Sequence, residues 1–281
     1  MRPALCVAAA LSLLFTSKTF AQDCTYEPDN LPDSFDAFVE PLWGCAQVFS
    51  DDAWYRFHFD EGDWDDGFGW NDACNQDQPL MRTFNALMFL AYSITNEPTC
   101  STNDSDNVGT WAYCWSGEAI DELDAECGDG SERAWTSWTP GFQYTELYWP
   151  FFYNETVVQR AGTIFHEARH AHGWCDHQGG CNRNASCDPN WSNGCVGVGS
   201  GSGPGANSYQ VQWLSWFLNS ARPEWTSPGL VRSAWVEANT VLANGFGEDP
   251  GFRLAEDGTH IVTVQAPNFS GAEGIDGRIR S

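Results

Sequence analysis

His166-Glu167-Ala168-Arg169-His170 sets two imidazoles four residues apart, with a carboxylate beside the first. On an α-helix that spacing is about one turn, so both rings leave the same face, separated by about 6 Å of rise. Neutral imidazoles so placed can converge on one divalent cation, and Zn²⁺ takes such nitrogen donors readily. Glu167 lies about 100° round the helix from His166, near enough to draw a proton from a water activated by the metal without being a ligand itself.

The neighbouring residues predict the helix. Asn154 offers an N-cap, Gly173 a stop after about His172, and Val157, Val158, Ala161, Ile164, Phe165 and Ala168 gather on one apolar stripe that must face a core. His166 and His170 fall opposite that stripe, beside Gln159 and Thr163, as a cleft-facing pair would. His172 falls at the stripe's edge and reads as a core or helix-end histidine. A catalytic zinc takes three protein ligands and keeps one position open. Two donors follow at once, Asp176 and His177. Spacing does not separate them; imidazole suits zinc slightly better, and the remaining one would support the ligand from behind.

His166-Glu167-x-x-His170-x-x-Gly173-x-x-Asp176 resembles the metzincin pattern in its rarer form ending in Asp, where Gly173 would permit the reversal that returns the chain to the metal. The methionine turn of that family has no counterpart here, because the methionines are Met1, Met81 and Met88. A broader likeness spans residues 144–170, with Pro150-Phe151-Phe152 and Ala161-Gly162-Thr163-Ile164-Phe165-His166-Glu167. This segment resembles the one leading into the active-site helix of the deuterolysin-type aspzincins. Their third ligand is an Asp in a later segment; Gly205-Ala206-Asn207-Ser208-Tyr209 puts an amide there, and an amide is a weak zinc ligand.

The resemblance implies a zincin-like α+β fold: a small twisted sheet packed on the histidine-bearing helix, further helices, and disulfide-stapled loops. It also implies a secreted zinc metallopeptidase. His166, His170 and either Asp176 or His177 would hold Zn²⁺, and Glu167 would be the general base. Tyr209 would donate to the oxyanion, although a phenol there suits an ordinary buried tyrosine equally well. Residues ahead of His166 would form an edge strand for an extended peptide or protein substrate. The competing expectation is a catalytically inactive secreted binding protein of the same fold, with zinc structural or absent, engaging a glycan or protein through residues 51–75.

Other segments must position these groups. Residues 33–49 read as a helix entered through Asp33, with Pro41 at odds with its middle. Residues 51–75 read as a solvated acidic loop pinned by Trp54, Trp64 and Trp70; Gly62 stands where an EF-hand needs its first Asp. Residues 78–95 predict a helix capped by Asp77, with Pro79 in its first turn, and 96–131 a polar loop. Strands are expected at 134–138 and 142–148 around Pro140-Gly141. A Cys/Gly/Asn/Ser-rich loop then runs to Gly205, and helices come next at 206–221 and 229–243, the second opened by Pro228 and closed before Gly245. Residues 246–281 form a tail with one strand candidate at 261–265.

Arg2, the apolar run from Pro3 to Phe15 and Thr19-Phe20-Ala21 predict an export signal over 1–21, cut before Gln22. The run is too short to span a bilayer, which takes about 20 apolar residues. One domain is expected over 22–245. Of the 11 cysteines, Cys6 leaves with the leader, and ten in an exported chain argue for disulfides. Cys175, Cys181, Cys187 and Cys195 are spaced too widely for the C-x₂₋₄-C of a structural zinc site. The full chain carries a formal net charge of −25, and without the leader it contains no lysine. Nucleic acid and anionic membrane surfaces, which need a basic footprint, are therefore poor partners.

Overall fold

The computed structural model describes residues 47–65, 67–95, 111–137, 142–172, 205–223, 226–246, 250 and 252–262. The expected leader, most of the helix expected at 33–49, the segment with Asp176 and His177, and the chain beyond 262 lie outside them. Among the described residues the fold is α+β, with seven α-helices, a three-stranded sheet and a two-stranded hairpin. In order these are α1 (Gln47–Arg56), α2 (Pro79–Tyr92), α3 (Trp111–Ala119), β1 (Glu122–Ala125), β2 (Ala134–Thr136), β3 (Tyr144–Leu147) and α4 (Trp149–Tyr153). Then come α5 (Val157–Ala171), α6 (Ala206–Ser220), α7 (Pro228–Asn244), β4 (Phe252–Leu254) and β5 (His260–Val262).

Helix α2 is apolar almost all round, and it is buried from Pro79 to Ala91. A helix without a polar face belongs in the middle of a core, and α5 packs directly on it. Its N-cap is Gln78 rather than the expected Asp77. Asp77 lies one residue too early and pairs instead with Arg82 at 3.9 Å. Arg82 and the fully buried Arg160 both donate to Phe152 O at 3.4 Å, and Arg160 also donates to Glu155 O at 2.8 Å. Phe152 O, one of the carbonyls near the end of the short α4, thereby finds two donors.

Two segments differ from the sequence expectation. Residues 51–56 are helical, within α1, and the expected acidic loop begins only after Arg56. That loop is pinned by fully buried Trp64, whose indole N–H donates to Leu123 O at 2.9 Å. The stretch 96–131 is not all loop: it holds α3, which packs on α5, and β1. In β1 the buried Leu123 and Ala125 alternate with Glu122 and Asp124, so the strand has an apolar inner face despite its acidic composition.

The sheet order is β1-β3-β2, with β1 parallel and β2 antiparallel to β3. β2 is therefore an edge strand, and it lies against α5. The register pairs Ala134 with Leu147 and Thr136 with Thr145. Helices α6 and α7 pack on each other and on α5. In the tail, β5 starts at His260 and pairs with β4, a partner the sequence reading lacked. The hairpin is clamped to α7: Trp235 Nε1 donates to Leu254 O at 2.7 Å, and Asn239 bonds both the N–H and the C=O of Leu254. Cys74, Cys114 and Cys127 are disulfide-bonded.

Candidate metal centre

The histidine helix starts later than expected. Asn154 ends α4, and Thr156 is the N-cap of α5. Its hydroxyl accepts from Gln159 N at 3.3 Å while Gln159 Oε1 accepts from Thr156 N at 3.0 Å. That reciprocal pair is a capping box, written in the sequence as Thr-x-x-Gln. From this start the apolar stripe faces α2 and α3, and His166 and His170 come out one turn apart on the other side.

Their Nε2 atoms face each other at 3.1 Å, with ring centroids 4.8 Å apart. Two nitrogens each about 2.0–2.1 Å from a tetrahedral zinc stand about 3.3 Å apart, so the pair is spaced as cation ligands are. A Glu167 carboxylate oxygen lies within 4.8 Å of ligand atoms on both histidines. Among the described residues one other trio of donors is as close, Asp60, Asp63 and Glu122, on an open acidic surface. The histidine group sits in a cleft.

Hydrogen bonds hold Glu167 and His166 in place. Thr136 donates its hydroxyl to Glu167 Oε2 at 2.7 Å, and Thr145 Oγ1 lies 2.9 Å behind it. His166 Nδ1 lies 3.0 Å from Gln210 Oε1. Gln210 Nε2 donates to Glu237 Oε1 at 3.2 Å, and Gln159 Nε2 to Glu237 Oε2 at 3.1 Å. Arg133 links Glu237 to Glu155, donating to the first at 2.6 Å and reaching the second at 2.8 Å. Burial pushes the Glu155 carboxyl up to about 7, against the pull of Arg133.

The cleft above this network has a volume of about 510 Å³. His166, Glu167, His170 and Gln210 line one side, and residues 131–136 line the other. Arg133 O accepts from Tyr148 N, and Ser137 N donates to Tyr144 O, so odd-numbered residues of this strand turn their main chain to β3. By alternation Ala134 and Thr136 turn theirs to the open edge.

Tyr209 lies apart from the histidine pair. Its ring stacks on Trp115 at 5.1 Å, meets Phe165 at 5.5 Å and lies under the Arg169 guanidinium at 4.7 Å. Phe165 and Arg169 each precede a histidine by one residue, which puts Tyr209 round the helix from the cleft, outside its lining. The neighbouring Gln210 occupies the place by His166 instead. His172 caps the helix end and packs on Trp115 at 5.2 Å; burial, then the charge of Arg169, lowers its pKa. Asn207 lines the cleft, but its amide donates to Gly245 O. The sequence reading missed Gln210, Glu237, Arg133 and the hydroxyl of Thr136; neither of the first two stood out, because polar residues recur along both of their helices.

No family model matches this chain, and no curated protein or solved structure shows significant similarity to it.

Proposed function

We propose that the chain is a secreted zinc-dependent metallopeptidase of zincin-like architecture with disulfide-stapled loops. The observation that carries the reading is the facing Nε2 pair with a carboxylate at its side, set in a cleft whose other wall is an open strand edge. His166 and His170 would hold the ion, with a third donor from Asp176 or His177. When bound, zinc would polarise the scissile carbonyl and make the attacking water more acidic. Glu167 accepts the proton that water loses as its oxygen bonds the carbonyl carbon, and returns it to the amine as the C–N bond breaks. Thr136 keeps the carboxylate aimed at that water. An extended peptide or protein substrate pairs with the outward main-chain groups of Ala134 and Thr136, which brings its backbone alongside Glu167. Export is supported by the leader pattern of residues 1–21 and by the disulfide-bonded cysteines.

The test is Glu167→Gln in the mature protein. The variant should retain one zinc per chain and lose cleavage of casein; cleavage at the parent's rate removes Glu167 from its role.

A second reading, a catalytically inactive binding protein, is favoured by one observation: Asn207 is an amide already committed to Gly245. Metal analysis separates the two. Zinc with chelator-sensitive proteolysis supports the peptidase; zinc without turnover, or no zinc, supports the binding protein.

A further inference from the structure

We propose that Gln210, itself oriented by Glu237, fixes His166 in the tautomer that carries its proton on Nδ1 and turns the Nε2 lone pair toward His170. The inference rests on the metallopeptidase reading and extends it to two positioning residues on α6 and α7.

The argument starts at Glu237. This carboxylate is buried, and three N–H groups surround it: Arg133 at 2.6 Å and Gln210 at 3.2 Å on Oε1, and Gln159 at 3.1 Å on Oε2. Beside a guanidinium it accepts and does not donate. Gln210 must therefore present its NH₂ to Glu237, because the flipped amide would set a carbonyl oxygen against a carboxylate. That choice leaves Gln210 Oε1 facing His166 Nδ1 at 3.0 Å. A carbonyl oxygen only accepts, so the ring nitrogen opposite it carries the hydrogen. A neutral imidazole has one N–H, so Nε2 is left as the donor atom, and it is the Nε2 that faces His170 at 3.1 Å.

The consequence concerns metal loading. Without Gln210 the ring can rotate or carry its proton on Nε2, and the cation must then displace that proton and reorient the ring. Outer partners of this kind are worth about 10–100-fold in metal affinity.

The test has two arms. In the metal-stripped full chain, long-range proton–nitrogen NMR should give His166 Nε2 the shift of an unprotonated ring nitrogen and Nδ1 that of a protonated one. The reverse pattern overturns the proposal. Gln210→Met should lower the affinity for zinc alone by about 10–100-fold in competition with a chromophoric chelator. The exchange Gln210→Glu with Glu237→Gln, which keeps an acceptor toward His166, should restore most of it. Parent-like affinity in Gln210→Met overturns the proposal. Should Gln210→Met fail to fold, the NMR measurement on the parent and the exchange variant carry the decision. A parent that binds no zinc sinks the peptidase reading, while the ring-nitrogen shifts still decide the orientation of His166.

Discussion

Thr136 and Glu167 meet across the cleft, the hydroxyl of the edge strand donating to the carboxylate of the helix at 2.7 Å. Thr136 has a single hydroxyl proton and gives it to Glu167, so the bond at 2.9 Å to fully buried Thr145 must run the other way, with Thr145 as donor. The same strand that would align a substrate thus also orients the proposed base.

Thr136→Val removes that donor with little change of shape. Hydrogen bonds to charged groups are worth about 1.5–3 kcal/mol, so kcat on a peptide substrate should fall about 10–100-fold while zinc content stays at the parent's level. An unchanged kcat would show that Glu167 needs no such support.

Arg133 sits between two buried carboxylates, those of Glu155 and Glu237. Arg133→Leu removes the cation between them, leaving Arg160 as the remaining positive charge near Glu155, and should destabilise the fold by about 3 kcal/mol at pH 8, read from urea unfolding. Glu155 has its folded pKa raised to about 7 from an ordinary 4.5. The folded state therefore holds this proton more tightly, and stability declines as pH rises from about 4.5 to 7, then levels. The penalty for losing Arg133 should accordingly be smaller at pH 5 than at pH 8; a pH-independent penalty would mean Glu155 stays ionised throughout.

Asp124 offers a second titration on the sheet. Burial first, then the charges of Glu122, Asp63, Glu146 and Glu126, push its carboxyl up to about 7, and its buried Oδ1 has no hydrogen-bond partner among the described residues. Stability is again lost as pH climbs from about 4 toward 7, because the unfolded chain ionises first. Asp124→Asn should raise the thermal midpoint at pH 8, raise it less at pH 5, and leave it nearly unchanged only below about pH 4. No gain at pH 8 would contradict the raised value.

Tyr209 separates catalysis from packing. Its ring belongs to the cluster of Trp115, Phe165 and Arg169, so Tyr209→Phe should keep turnover, whereas Tyr209→Ala should lower stability by about 3 kcal/mol. A collapse of kcat in the Phe variant would put the phenol back beside the substrate.

The parts legible in the sequence were those governed by local spacing. The α5 stripe, the flanking strands β2 and β3, and helices α6 and α7 come from periodicity and from turn residues. Even the true cap of α5 was written in Thr156 and Gln159; Asn154 competed for it because α4, a single turn of Trp149–Tyr153, gave no periodic signal of its own. β1 escaped notice because it is acidic and pairs in parallel with a strand some 20 residues on. The ties from Gln210 to His166 and from Gln210 to Glu237 depend on how α5, α6 and α7 cross, a tertiary relation that no spacing along one helix encodes.

Gln159 belongs to two structures at once: its carbonyl oxygen closes the cap of α5, and its amide nitrogen reaches the Glu237 carboxylate that orients Gln210. Unwinding the first turn of the helix must therefore also loosen the seat of an imidazole two turns further along. Heat or denaturant that frays this first turn should then weaken ion retention and helix integrity in step.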